Sequence, residues 1–88
     1  MIDLKVAYYL AKEANNDPIL VLKEVFETDE YYCFDFLPEG VYVDIGGTIT
    51  IVNKNDGTTK EISGFEIGEL YHRSKKISLK TVKAALKK

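Results

Sequence analysis

The chain has 88 residues, 45% hydrophobic and 30% charged, with a formal net charge of −2, six tyrosines, four phenylalanines and no tryptophan. A domain of this size buries about 60–65% of its unfolded surface, too little for a two-lobed enzyme cleft, and no apolar run approaches the ~20 residues that cross a bilayer. The single cysteine, Cys33, excludes an internal disulfide and fits a reducing compartment, and the N-terminus has no basic-then-apolar leader, so a cytoplasmic location is expected.

Residues 3–16, "DLKVAYYLAKEANN", carry apolar side chains at Leu4, Ala7, Tyr8, Leu10, Ala11 and Ala14, the spacing of an amphipathic helix, with Asp3 as its N-cap. Asn15-Asn16-Asp17-Pro18 stops it, because the residue before a proline avoids the helical region. "ILVLKEVFET" reads as a strand and Asp29-Glu30 as a turn. "YYCFDF" is the next strand. Tyr32, Phe34 and Phe36 share one face of it, and Tyr31, Cys33 and Asp35 share the other, which Asp35 marks as the wet face, at least at its end.

"LPEG" makes a turn around Pro38 and Gly40, and "VYVDI" and "TITIVNK" are predicted to flank a two-residue Gly46-Gly47 hairpin. "NKNDGT" is an Asp-Gly turn into the strand "TKEI". The connections are too short for parallel crossovers. After Gly64, "FEIGELYHRS" is a short helix or turn with Phe65, Ile67 and Leu70 facing inward, and Ser78 caps a last helix with Leu79, Val82 and Leu86 on one face. The expectation is one α+β domain over residues 1–76, an N-terminal helix packed on an antiparallel meander of about five strands, with a basic C-terminal helix or tail over 77–88.

"VDIGGT" at residues 43–48 matches the first phosphate loop of the sugar-kinase and actin-like ATPases in miniature. A phosphate loop of the strand–glycine–helix kind needs a helix after the glycines, and here a strand follows, so Gly46-Gly47 are read as a turn that uses glycine's positive φ. His72 is the only histidine and has no cysteine near it, so no three- or four-ligand metal set forms. Cys33 lies among aromatic strand neighbours with no base to lower its thiol pKa. No Ser/His/Asp arrangement exists around one histidine. The expectation is a non-enzymatic protein with no cofactor and no metal.

Charge is distributed unevenly. Residues 1–69 hold fourteen acids and five lysines, whereas residues 70–88 hold Arg73 and six lysines with no acid. Glu24, Glu27, Asp29, Glu30, Asp35, Glu39 and Asp44 follow one another without an intervening cation. Adjacent Tyr31 and Tyr32, and Tyr42 near Asp44, put tyrosine among carboxylates. That pairing suits a protein-binding surface, and it equally suits tyrosines that cover a small sheet.

The aromatic strand Tyr31–Phe36, Gly46-Gly47, the apolar strand Ile49–Val52, Asn53-Lys54, Gly57, Ile62, Gly64 and Glu69-Leu70-Tyr71 together resemble the bacterial immunity protein 35 family over residues 4–71. The chain departs from that pattern in a shorter loop before the glycines and a tyrosine where tryptophan is usual. The resemblance implies a small cytoplasmic protein that neutralises a cognate toxin domain by occlusion, with Tyr31, Asp35, Glu39, Tyr42 and Asp44 covering a basic surface. A competing reading is a nucleic-acid-binding module that uses Arg73, Lys75, Lys76, Lys80 and Lys83. A third is a structural or mobile-element subunit whose Lys-rich helix docks on a partner or on a second copy.

Overall fold

The computed structural model describes residues 1–41 and 47–88. In chain order these form α1 (Leu4–Ala14), β1 (Leu20–Glu27), β2 (Tyr31–Pro38), β3 (Thr48–Asn53), β4 (Thr59–Ser63), α2 (Phe65–His72), β5 (Lys75–Ile77) and α3 (Leu79–Leu86). The fold is α+β, with the expected N-terminal helix, five-stranded antiparallel sheet and C-terminal helical segment.

Asp3 starts α1 by accepting a hydrogen bond from the Val6 N–H at 2.9 Å, which satisfies one of the donors a helix start leaves unpaired. Asn15 ends the helix and pins it to the sheet. Its side-chain amide donates to the Ala11 carbonyl and to Thr50 Oγ1 on β3, both at 2.7 Å. Ala7 and Ala11 are fully buried, and their small size lets the helix backbone lie close over the strands. Ser78 caps α3 through the Thr81 N–H at 3.1 Å, and the Lys5 ammonium on α1 donates to an Lys88 oxygen at the end of α3.

The strand order is β4-β3-β2-β1-β5. β1 through β4 form the meander, with Glu27 opposite Tyr32 and Ile49 opposite Ile62. Thr28 shapes the β1–β2 turn, its hydroxyl accepting from the Glu30 and Tyr31 N–H groups. The register of β1 against β2 shifts between Leu22 and Glu24, a bulge that bends the strand. The fifth strand differs from the expected one. It is Lys75–Ile77, paired with the far edge of β1, and α2 carries the chain to it from the β4 edge. β3 pairs directly with β2 and β4. Val41 belongs to no strand; the rest of the expected "VYVDI" strand and Gly46 of the glycine turn lie outside the described residues. A three-residue basic strand escapes sequence reading because its partner, Val25–Glu27, lies fifty residues away.

Both faces of the sheet are apolar, which corrects the expectation of one wet face. On one face Ala7, Ala11, Val25, Phe34, Val52 and Val82 form a core under α1 and α3. On the other Phe26, Cys33, Ile49, Ile51, Ile62 and Leu70 form a second core under α2, with Tyr31 and Ile67 packed against it. Within α2, Leu70 is buried and Ile67 half-buried, but Phe65 is 82% exposed rather than inward. The helix begins at Phe65, and at 3.6 residues per turn its side chain projects roughly opposite to those of Ile67 and Leu70. Among the described residues no buried side-chain nitrogen or oxygen lacks a hydrogen-bond partner, and no helix is long and apolar enough to cross a membrane.

Gly57 closes the β3–β4 turn at φ +75°, and a Cβ placed there would sit 3.2 Å from Leu10 Cδ1 of α1. Gly57→Ala therefore loses about 1–2 kcal/mol of stability, read as a lower urea midpoint with unchanged slope. Burial pushes the Cys33 thiol up from 9.0 to about 12, against a smaller opposing pull from the Lys54 charge. The folded protein should react with a thiol reagent at neutral pH only after denaturant is added. Because the raised pKa favours the neutral thiol of the folded state, this contribution to stability is complete below pH 9.0 and falls away as the pH rises towards about 12.

Candidate partner-binding cleft

Among the described residues the second core is covered by one helix of eight residues, too short to roof five strands. Gly64 places it. This residue leaves β4 at φ 54° and ψ −118°, a conformation that side-chain-bearing residues avoid, and the turn swings α2 back over the sheet. Leu70 and Ile67 anchor the helix. Tyr71 fixes its other side, with its ring edge-on to Phe26 at 5.2 Å between centroids and its hydroxyl donating to Glu24 Oε1 at 3.1 Å.

Between α2 and the β3–β4 end of the sheet lies an open cleft of about 390 Å³. Ile51, Ile62 and Leu70 make its apolar floor. Tyr31, Asn53 and Lys60 line it from the sheet, Asp56 and Thr58 from the turn, Glu66 and Glu69 from α2 and Arg73 from its C-cap. Asp56 is committed to the turn. Its Oδ1 accepts from the Thr58 N–H at 2.9 Å, and the hydrogen bonds from Thr58 hold its carboxyl below the usual carboxylate range. Lys60, Glu66, Glu69 and Arg73 form no ion pair among the described residues. The cleft thus combines a small apolar floor with a mostly polar and charged wall.

The residues predicted for partner binding are only partly gathered here. Tyr31 lines the cleft and is half-buried. Asp35 lies further along β2 on the same face, opposite Glu24, and is also half-buried. Glu39 is exposed in the turn after β2. Tyr42 and Asp44 lie outside the described residues. Sequence reading missed Glu66, Glu69 and Phe65 as candidates. The signal present for them was two acids three apart on a short helix with an apolar residue between.

The cationic candidates divide between faces. Arg73 lines the cleft. Lys75 and Lys76 alternate across β5, Lys76 towards the α2 face with Phe26, and Lys75 towards the α1 and α3 face with Glu27. Lys80 and Lys83 are exposed on α3. Among the described residues no group of three or more His, Cys, Asp or Glu is gathered as for a metal ion.

The hydrogen bond to Glu24, the nearby carboxylate charge and a smaller loss of solvation raise the Tyr71 phenol above its ordinary 10.0. In a spectrophotometric titration of the folded protein, Tyr71→Phe should remove absorbance from the late part of the phenolate transition and leave the early part unchanged.

No protein-family model, curated protein or solved structure matches this chain.

Proposed function

We propose that the chain is a small non-enzymatic protein-binding domain that neutralises a toxin domain by covering a basic surface, and that the contact is made by the α2 face of the sheet. The observation that supports this reading is the cleft beside α2, with its apolar floor and the uncommitted Glu66 and Glu69 on its wall. Two aromatic side chains extend the surface: Phe65, 82% exposed, and Tyr71, 52% exposed. Both lie on α2 outside the cleft lining, and aromatic residues are enriched among those that carry binding energy. The carboxylates Glu24, Asp35, Glu66 and Glu69 lie on this side, and such charge speeds encounter with a basic partner. Of the residues expected to make the contact, Tyr31 lines the cleft and Asp35 lies on the same face.

The test is titration of the purified protein against the toxin domain encoded beside its gene. Phe65 is exposed enough for replacement without loss of core, and Phe65→Ala should cost more than about 1 kcal/mol of binding. Glu66→Lys with Glu69→Lys should weaken binding about tenfold or more, mainly through slower association, with the deficit shrinking at high salt. Absence of any complex, or affinities of both variants equal to that of the unaltered protein, sinks the proposal.

A further inference from the structure

On the opposite face of the sheet, the lysines of α3 form a ridge. Lys80, Lys83 and Lys87 recur three and four residues apart, which places them along one stripe of the helix. All three are exposed, while Val82 is buried against the core and Leu86 packs beside it. The stripe advances about 10 Å along the helix axis from Lys80 to Lys87 at 1.5 Å per residue. Lys75 is presented on the same side of the sheet, at its β5 edge.

Among the described residues no carboxylate is paired with these lysines. α3 contains no acid. None of Lys75, Lys80, Lys83 and Lys87 forms an ion pair among the described residues. The carboxylate opposite Lys75 is Glu27, which is held by Lys54 at 3.0 Å. Asp3, at the start of the neighbouring α1, is used as its helix cap. Like charges at these spacings destabilise a helix, so the ridge is held by the packing of Val82 and by the Ser78 cap despite its own repulsion. An external row of negative charges would relieve that repulsion.

We infer that this ridge binds the phosphate backbone of a nucleic acid without reading its sequence. A row of ammonium groups on a helix suits repeated phosphates, and point-charge lysines contact phosphate without the base-edge specificity that arginine forks give. The site lies across the sheet from the cleft, so it stands or falls independently of the protein-binding proposal.

The experiment is fluorescence anisotropy of a labelled random-sequence DNA duplex with the full chain, across roughly 50 to 200 mM salt. Binding should weaken with salt along a log–log slope of about −3, as expected for release of counterions from three phosphates. Lys80→Ala, Lys83→Ala and Lys87→Ala combined should remove most of that slope and weaken binding at low salt about tenfold or more. Alanine favours the helix, so circular dichroism should show the triple variant folded. No binding at the low-salt end, a slope unchanged in the folded triple variant, or retention on phosphatidylglycerol vesicles without duplex binding overturns the inference.

Discussion

Cys33 and Phe34 are neighbours in β2, both fully buried, and they point to opposite sides of the sheet. That alternation is the constraint on which the rest of the structure depends. A strand with apolar residues on both faces must be covered twice, and 88 residues supply little to cover it with. The N-terminal helix and α3 share one face. Among the described residues the second is covered by α2, and the cleft is the part of that face that its eight residues do not reach.

The two coverings are built differently. α1 has a capped start, two buried alanines and an asparagine tied to a buried threonine, so backbone and side chains both fix it. α2 has no side-chain cap and rests on one buried leucine, one half-buried isoleucine and a tyrosine on its flank. The well-fixed face carries the helix with the lysine ridge. The sparsely covered face carries the aromatics and acids available to a protein. The lysine ridge and the acids of α2 are thereby separated by the thickness of the sheet, with Lys60 and Arg73 beside the acids in the cleft.

Lys54 shows why a residue cannot be assigned to function by charge alone. Its ammonium reaches Glu27 and lies 4.7 Å from the Tyr32 ring centroid, while its backbone bonds to Ile2 and Glu30. It ties the start of the chain to two turns. In the sequence it is simply a lysine in an Asn-Lys-Asn-Asp-Gly turn.

The helix caps Asp3 and Ser78, the turns at Asp29-Glu30 and Asn53–Thr58 and the face alternation of β2 were legible from sequence, because each depends on residues within a few positions. The fifth strand, the direction of Phe65 and the gathering of Glu66, Glu69, Lys60 and Arg73 around one cleft were not. These depend on pairing across fifty residues and on the phase of a helix fixed by one glycine. Local chemistry determined the elements and their apolar faces. Only the tertiary structure decided which face each element covers, because coverage is set by where the chain crosses the sheet, and that crossing is a balance of burial summed over the whole molecule.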